Sequence, residues 1–367
     1  MLIKKYEKLM RRCLTLAKKG EGQTAPNPMV GAVIFDDNFN IISEGYHEKY
    51  GEAHAEVNAV KNAGDIDFSN LSIAVSLEPC SHYGKTPPCA DMLIKKGFKR
   101  VIVGMQDPNP IVSGNGIKKL KEAGIEVVVG ILEDESKELN EIFIKNQIEN
   151  KPFVMIKTAT TLDGKIACKT GDSKWITGEK ARKQVQKLRN SYDAIMTGSN
   201  TVLKDNPQLN CRLKNGKNPI RVIIDSTLKT PPDSLVYKND GTKIYLITSD
   251  KHTQKEFEKY PTNIEFITCC LKEEKIDLKE AIEKLYTKGI KSIMVEAGRG
   301  LNSAIIKENL ADKLIQFIAP KVIGDNDAIG FVGGFDVNML SDAKLLNRLK
   351  TKYAKPDIIV EAYFEKH

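Results

Sequence analysis

The chain has 367 residues, more than one ordinary domain needs, and its 41% hydrophobic content is that of a globular protein with enough apolar residues for two cores. Its seven cysteines are too few for a disulfide scaffold, and no run approaches the roughly 20 apolar residues of a membrane span, so we expect a cytoplasmic protein whose cysteines bind metal or lie buried. The net charge of +8 comes from the second part of the chain: residues 1–150 carry 19 Lys and Arg against 21 Asp and Glu, and the remainder carries 37 against 27. This distribution argues against a nucleic-acid surface on the first part.

In the first part, short apolar runs alternate with segments of helical spacing. The predicted helices are residues 2–19, residues 54–63, a helix that begins near Cys89, and a single amphipathic helix over 133–147. The predicted strands are residues 30–35, 41–47, 71–80, 99–105 and 125–132, with a turn at 36–38. This alternation predicts an α/β layer fold with a largely parallel sheet.

A second alternation begins after residues 147–152, where Pro152 resists continuation of the preceding helix. The predicted strands are residues 153–159, 193–198, 220–225, 243–248, 292–298 and 357–365, with a further apolar run at 313–324. The predicted helices are residues 179–190, 277–288 and 301–309. We find no internal repeat between the two parts. The sequence therefore predicts two α/β domains, residues 1–147 and residues 148–367.

His54, Cys80 and Cys89 are the donors of a candidate zinc site. A catalytic zinc takes three such nitrogen and sulfur ligands and keeps a fourth position for water. Glu56 follows the histidine by two positions, and a carboxylate that is not a ligand can transfer the protons of a hydrolysis. His-x-Glu followed by Pro-Cys is the signature of zinc deaminases, in which an activated water attacks an amidine-like ring carbon. His-x-Glu alone is more often an ordinary helix start, but the two later Pro-Cys pairs favour the metal site.

Both cysteines follow prolines, and we expect them at helix N-termini, where unpaired N–H groups favour a thiolate. Eight residues separate Cys80 from Cys89, whereas the common deaminase signature has two. The segment EPCSHYGKTPPC, with APNPMVGAV and EGYHEKYGEAHAEVNA, resembles the deaminase half of the bifunctional deaminase/reductase family of riboflavin biosynthesis. The resemblance covers residues 5–147.

This resemblance implies a cytidine-deaminase-like α/β/α domain with one zinc ion per chain. It also implies a substrate, a diaminopyrimidinone that carries a ribosylamino 5′-phosphate and loses ammonia. Asn27 and His82 are the candidate substrate contacts, and Lys85 and Thr86 are candidate phosphate contacts. His82 lies between the cysteines, but a fourth protein ligand would close the metal site, so we interpret it as a pocket residue.

The second part resembles the reductase half of the same family in the segments KTATTLDGKIA, GDSKWITGEKAR and LRNSYDAIMTGSNTVLKDNPQLNCR. This resemblance covers residues 152–326 and implies a dihydrofolate-reductase-like α/β domain that reduces an opened ribose to ribitol with NADPH. Arg189 and Arg212 are permanently charged forks suited to a phosphate, with the hydroxyl of Ser173 beside them. Leu209 and Glu296 match family positions that meet substrate.

The NADPH residues are likewise implied by the resemblance. SIMVEAGRGLNSAIIKENL predicts a strand, a glycine turn and a helix whose N-terminus favours a diphosphate. The run lacks a full G-x-G-x-x-G with a following acid, so a Rossmann domain is not implied. The residues implied to bind NADPH are Ala159, Trp175, Thr201, Asp205, Ser226, Gly298, Arg299, Gly300, Leu301, Asn302, Ser303 and Ala304.

Two functions from other classes compete with this interpretation. A nucleic-acid deaminase with an RNA-binding second domain needs basic charge near the metal, and the basic excess lies elsewhere. A binding protein with a dead catalytic site is opposed by the intact set His54, Glu56, Cys80 and Cys89. We therefore expect phosphorylated pyrimidines as ligands, no nucleic-acid or membrane partner, and a homo-oligomer, either a dimer or a tetramer.

Overall fold

A computed structural model describes residues 2–82, 87–109 and 113–365 of the chain. The chain divides into two compact units, Met1–Asn150 and Lys151–His367. Within the described residues, no helix combines the length and the apolar character that crossing a membrane requires.

The first unit contains six α-helices and five strands among its described residues. The helices are α1 Leu2–Ala17, α2 Ala55–Ala63, α3 Cys89–Lys96, α4 Asn115–Glu122, α5 Glu133–Leu139 and α6 Glu141–Glu149. The strands are β1 Gly31–Phe35, β2 Ile41–Tyr46, β3 Ser72–Leu77, β4 Arg100–Met105 and β5 Glu126–Val129.

The five strands form one sheet in the order β2-β1-β3-β4-β5. Strands β3, β4 and β5 run parallel, as expected, because α3 and α4 provide the crossovers between them. Strand β1 is antiparallel to both β2 and β3. The expectation of a largely parallel sheet is thus wrong for β1 and its pairings with β2 and β3. A short turn connects β1 to β2, so these two strands form an antiparallel hairpin.

Alternate residues of the central strands face opposite layers, as the period of a strand requires. Val33 and Ile102 pack with residues of α1, whereas Ile34 and Val103 pack with residues of α2 and α3. All four side chains are fully buried. The unit is therefore the three-layer α/β/α domain that the family resemblance implies, with the metal-ligand candidates on its α2–α3 side.

The predicted single helix over residues 133–147 is wrong, because the structure has two helices that meet at Asn140. The backbone of Asn140 leaves the helical region with φ −108° and ψ 24°, ending α5 and beginning α6. Its side chain is buried and hydrogen bonds with the backbone of Met29. This tertiary contact, which the amphipathic pattern does not reveal, turns the chain.

The second unit is built on one long sheet. Its helices are α7 Glu179–Ser191, α8 Ser199–Asp205, α9 Gln254–Phe257, α10 Leu278–Thr287 and α11 Arg299–Lys307. Its strands are β6 Phe153–Thr161, β7 Lys165–Ala167, β8 Ala194–Gly198, β9 Ile220–Ile224, β10 Ile244–Ser249, β11 Ile264–Cys269, β12 Leu271–Lys272, β13 Lys275–Ile276, β14 Ser292–Val295, β15 Lys313–Ala319, β16 Ile329–Gly330, β17 Leu346–Ala354 and β18 Asp357–Phe364.

The long sheet has nine strands in the order β11-β10-β9-β8-β14-β6-β15-β18-β17. The strands from β11 to β15 in this order are parallel, and β18 and β17 add antiparallel strands at one end. The carboxyl ends of the parallel strands therefore share one edge, where ligands of open α/β sheets bind. We refer to this as the carboxyl edge.

The start of α11 and strand β17 are examples of differences between the structure and the predictions. Helix α11 begins at Arg299 rather than at residue 301, because Gly298, in extended conformation, is its N-cap. Strand β17 was not predicted, because its residues 346–353 are all exposed and therefore show no alternation of polar and apolar side chains.

Candidate functional site

His54, Cys80 and Cys89 converge in the first unit. The Nδ1 atom of His54 lies 3.6 Å from Cys80 Sγ and 3.3 Å from Cys89 Sγ. The three donor atoms all lie within 4.8 Å of one another. His54 is the N-cap of α2, Cys89 is the first residue of α3, and Cys80 lies in the turn after β3. One nitrogen and two sulfur donors at this separation fit a zinc ion that keeps an open coordination position.

The expectation that both cysteines lie at helix N-termini is confirmed for Cys89 but is wrong for the position of Cys80. Cys89 begins α3. Cys80 is outside the helix, but its sulfur accepts a hydrogen bond of 3.2 Å from the backbone N–H of Cys89. Hydrogen bonds from Cys89, and the contact with His54, lower the pKa of the Cys80 thiol. The N-terminus of α3 thus favours a thiolate at Cys80.

Glu56 lies in the first turn of α2, close to the three donors, and is only 3% exposed. Burial raises the pKa of its carboxyl to about 7. A carboxyl that changes protonation near neutral pH is suited to accept and return protons in one catalytic cycle. Since Glu56 is not among the three clustered donors, the geometry separates the candidate acid/base from the candidate ligands.

His54, Glu56 and Cys80 line a cavity of about 350 Å³. Its other walls come from segments far apart in the sequence. They are Asn27, Pro28, Val30, His47, Tyr50, Gly51, Glu52, Leu77, Glu78, His82, Asp107, Asn109, Phe143 and Gln147. A cavity of this size can bury a small ligand. Both substrate candidates of the first part, Asn27 and His82, line it; Lys85 and Thr86 lie outside the described residues.

The sequence interpretation missed His47, a buried residue of this cavity. Its Nε2 lies 3.3 Å from Asn27 Nδ2, and its Nδ1 lies 3.1 Å from the carbonyl oxygen of Ala53. Its ring meets that of His54 edge to face at 5.6 Å. Burial lowers the pKa of the His47 imidazole, which favours its neutral form. The segment GYHEKYGEAH did contain this signal, as a second histidine just before the metal candidate.

Glu78 was also missed, and it holds the backbone around the cavity. One carboxylate oxygen accepts the N–H groups of Gly116 and Ile117 at 2.9 and 3.1 Å. The other accepts those of Asp107 and Gly114, both at 3.0 Å. The side chain is only 5% exposed. Glu78 therefore fastens the turn that carries Cys80 to the first turn of α4.

In the second unit, several predicted residues lie at the carboxyl edge. Ala159 lies near the end of β6, Thr201 and Asp205 lie in α8 directly after β8, and Ser226 follows β9. Glu296 and Gly298 follow β14. A Cβ atom placed on Gly298 would be 3.9 Å from Thr201 Oγ1, so the turns after β8 and β14 are close together. The structure thus gathers cofactor candidates from four neighbouring strands.

Glu296 forms an ion-pair cluster with two cations. Arg189 donates to it through Nε and Nη2 at 3.0–3.2 Å, and Lys157 Nζ donates at 3.1 Å. Although burial alone would raise it, Lys157 and Arg189 lower the pKa of Glu296 to about 2. Lys157 was missed; a lysine inside the apolar run FVMIKTA was its signal. Arg189, predicted as a phosphate contact, already holds a carboxylate here.

Arg212 and Arg189 meet at Asn210. Arg189 Nη1 donates to the Asn210 carbonyl oxygen at 2.9 Å, and Arg212 Nε lies 3.5 Å from Asn210 Oδ1. Arg212 is exposed, whereas Arg189 is buried. Leu209 is also buried. Arg212 is therefore the more accessible of the two candidate phosphate forks.

Trp175 and Ser173 lie in the segment before α7. The Trp175 ring is 64% exposed and stacks with the guanidinium of Arg182 at 4.6 Å. Its carbonyl oxygen accepts a hydrogen bond of 2.7 Å from Lys321. Trp175 is therefore not part of the hydrophobic core of this unit.

The predicted glycine turn is the start of α11. No side chain among the described residues caps this helix, and a Cβ placed on Gly300 would meet no atom within 4 Å. This leaves room and N–H groups for a diphosphate of NADPH.

Asn302, also a cofactor candidate, is fully buried, and its side chain donates to the carbonyl oxygens of Ala297 and Phe331. Ser303 Oγ accepts the N–H of Gly333. The remaining candidates of this turn are Arg299, which like Gly300 is exposed, and Leu301 and Ala304, which are partly buried.

Comparisons with known proteins match both units. Residues 3–105 match the cytidine and deoxycytidylate deaminase zinc-binding region, and residues 152–359 match the RibD C-terminal domain. The riboflavin biosynthesis protein RibD of Actinobacillus pleuropneumoniae is 42% identical over 353 residues, which cover 96% of this chain and 93% of the relative. The chain belongs to the RibD family.

Further RibD relatives agree over nearly the whole length. The Escherichia coli (strain K12) protein is 38% identical over 96% of this chain and 97% of its own. The solved diaminohydroxyphosphoribosylaminopyrimidine deaminase/5-amino-6-(5-phosphoribosylamino)uracil reductase of Thermotoga maritima has a TM-score of 0.87 at 38% identity, covering 99% of this chain and 100% of that one. Acinetobacter baumannii RibD has a TM-score of 0.85 at 35% identity, with the same coverage. The cytidine-deaminase-like and dihydrofolate-reductase-like fold classes are thereby confirmed.

Proposed function

We propose that this RibD protein catalyses two steps of riboflavin biosynthesis. The first is the zinc-dependent hydrolytic deamination of 2,5-diamino-6-(ribosylamino)-4(3H)-pyrimidinone 5′-phosphate. The second is the NADPH-dependent reduction of the ribosyl group of 5-amino-6-(5-phosphoribosylamino)uracil to the ribityl product. The protein is a bifunctional hydrolase and oxidoreductase, with one domain for each activity.

The observation that carries the proposal is the cluster of His54, Cys80 and Cys89 at a cavity that the buried Glu56 also lines. The three donors would hold one zinc ion. When bound, zinc supplies a water molecule acidic enough to ionise near neutral pH. An ordinary structural site with four protein ligands has no need of a carboxyl that titrates near pH 7 in the same cavity.

In the deaminase site, Glu56 performs the proton transfers. Its carboxylate accepts a proton from the attacking water, and the resulting acid then protonates the amino group that leaves as ammonia. The raised pKa matches both roles, since neither protonation state is strongly disfavoured at neutral pH. Asn27, held by His47, offers its amide to the substrate. His82 lines the same cavity and completes the proposed substrate contacts.

In the reductase site, the carboxyl edge binds NADPH and presents the sugar to it. The cofactor supplies a hydride, and the chain needs only to orient the two reacting carbons. We assign the diphosphate to the start of α11, from Gly298 to Ala304, with Ala159, Trp175, Thr201, Asp205 and Ser226 as further cofactor contacts. Ser173, Arg189, Leu209, Arg212 and Glu296 are the proposed substrate contacts.

The remaining assignments extend the same proposal. The functional domains comprise residues 1–147 and 148–367, within a few residues of the boundary between the two compact units. The partners are small phosphorylated pyrimidines, not nucleic acids, and the protein works in the cytoplasm as a homo-oligomer. The near-balanced charge of residues 1–150 supports a small-molecule substrate for the first domain.

The test uses the whole purified chain. Zinc content is measured, ammonia release is followed from the diaminopyrimidine phosphate, and NADPH oxidation is followed with the deaminated product as substrate. We expect about one zinc per chain, bound by His54, Cys80 and Cys89, and both activities. Deamination of tRNA, or NADPH oxidation that does not depend on the pyrimidine phosphate, would contradict the proposal.

A further inference from the structure

Asn140 interlocks with the backbone of a distant segment in the first unit. Its Oδ1 accepts the N–H of Met29 at 2.8 Å, and its Nδ2 donates to the carbonyl oxygen of Met29 at 3.0 Å. The side chain is only 3% exposed, and the residue separates α5 from α6. Because both polar groups of Met29 and both polar groups of the amide are used, this contact fixes the position and direction of α6.

This contact joins two walls of the deaminase cavity. Asn27 and Pro28, directly before Met29, form one wall. Phe143 and Gln147, in α6 directly after Asn140, form another. Residues four apart on a helix lie on the same face, so α6 presents Phe143 and Gln147 together to the cavity. The break at Asn140 allows α6 to take a direction different from that of α5, and the hydrogen bonds with Met29 fix this direction.

We infer that α6 is a substrate-contacting wall of the deaminase site, with Phe143 as a specificity-determining residue and Asn140 as the positioning residue that sets this wall against Asn27. The inference rests on the proposed deaminase function and deepens it. The ligand is the pyrimidine ribosyl phosphate that also reaches His54, Glu56 and Cys80, which line the same cavity.

The chemistry of the wall suits such a ligand. Most side chains named along the cavity are polar, and Phe143 adds a flat apolar surface on which a planar ring or the apolar face of a sugar can pack. Gln147, one turn further, offers an amide that can both donate and accept hydrogen bonds. A helix that served the fold alone would direct an aromatic ring into the core rather than into a cavity shared with the metal candidates.

The experiment compares three variants of the full-length zinc protein in the ammonia-release assay. Asn140→Ala removes both hydrogen bonds to Met29, and Phe143→Leu keeps apolar volume but loses the ring. Ile148→Ala is the matched control, since Ile148 lies on the same helix but is 59% exposed and does not line the cavity. We expect the first two variants to raise the KM for the pyrimidine phosphate at least about fivefold, with kcat within about twofold of wild type.

Zinc content and NADPH-dependent reduction serve as folding readouts, and both should match wild type in all three variants. If Asn140→Ala lowers only the melting temperature and leaves KM unchanged, its role is structural and the inference is wrong. An unchanged KM in Phe143→Leu, or an equal rise in Ile148→Ala, would also overturn it. If wild-type protein itself releases no ammonia, the proposed function fails instead, so the two failures are distinguishable.

Discussion

The ion-pair cluster of Glu296 makes a quantitative prediction for the reductase domain. Lowering a carboxyl pKa from 4.5 to about 2 corresponds to about 3 kcal/mol of favourable interaction for the ionised form. The Glu296 side chain is 22% exposed, so solvent screening does not remove this contribution. Glu296→Gln leaves Lys157 and Arg189 without their carboxylate partner. We therefore expect the variant to lose about 3 kcal/mol of unfolding free energy near pH 7.

The stabilisation by Glu296 should depend on pH. The pKa of Glu296 is lower in the folded state than in the unfolded chain, so the stabilisation is fully present above about pH 4.5 and is lost as the pH falls towards about 2. The free-energy difference between wild type and Glu296→Gln should therefore shrink as the pH falls through this window. Urea unfolding is followed by the fluorescence of Trp175, the one tryptophan of the chain, which lies in the same unit.

A matched control separates stability from binding. Glu361 of β18 also pairs with two lysines, Lys313 and Lys352, which lower its pKa against the effect of burial. Glu361→Gln should reduce stability in the same pH direction but leave the reductase KM unchanged. Glu296→Gln should change both. A stability difference for Glu296→Gln that is below about 1 kcal/mol, or that does not vary with pH, would refute the reasoning.

Three further changes test the two sites. Glu56→Gln should retain zinc but slow ammonia release by at least about 100-fold, because the amide cannot accept the proton; a variant that still deaminates at the wild-type rate would show that Glu56 is misassigned. Arg212→Ala should raise the reductase KM and leave deamination unchanged, and a matched loss of both activities would contradict separate sites. Gly116→Ala should destabilise the first unit and lower deaminase activity, because a Cβ atom at this position would overlap the carbonyl oxygen of Pro79. NADPH oxidation should persist. Thermal unfolding and both activity assays measure these effects, and wild-type behaviour would show that the contact can relax.

Local signals predicted the metal candidates well. His54, Cys80 and Cys89 each follow a strong start or turn signal, and proline precedes both cysteines. Such short-range patterns determine where a helix begins, and two helix starts near one strand end are enough to gather the donors. The zinc-deaminase signature, together with the family resemblance, was therefore enough to predict the cluster, whose donor atoms lie within 4.8 Å of one another.

Contacts between distant segments were not predictable in this way. The break at Asn140 depends on Met29, which is 111 residues away in the sequence, while the amphipathic pattern continues across it. Glu296, the partner of Arg189, is likewise 107 residues away. The sequence therefore indicated a guanidinium available for phosphate where the structure has an ion pair. Strand β17 has no buried face to give it a period. For Asn140 and Arg189 the deciding interaction is tertiary, whereas β17 pairs with β18, the next strand in the chain.

The central claim, that one chain performs both reactions in order, is tested most directly by a stoichiometry. The whole zinc-loaded protein is given the diaminopyrimidine ribosyl phosphate and NADPH, and ammonia release and NADPH oxidation are measured in the same sample. We predict one NADPH oxidised for each ammonia released. With the diamino substrate, Glu56→Gln should block both ammonia release and NADPH oxidation. The same variant should still bind and reduce the deaminated uracil compound when that compound is supplied directly. NADPH oxidation by Glu56→Gln from the diamino substrate, without ammonia release, would contradict the account.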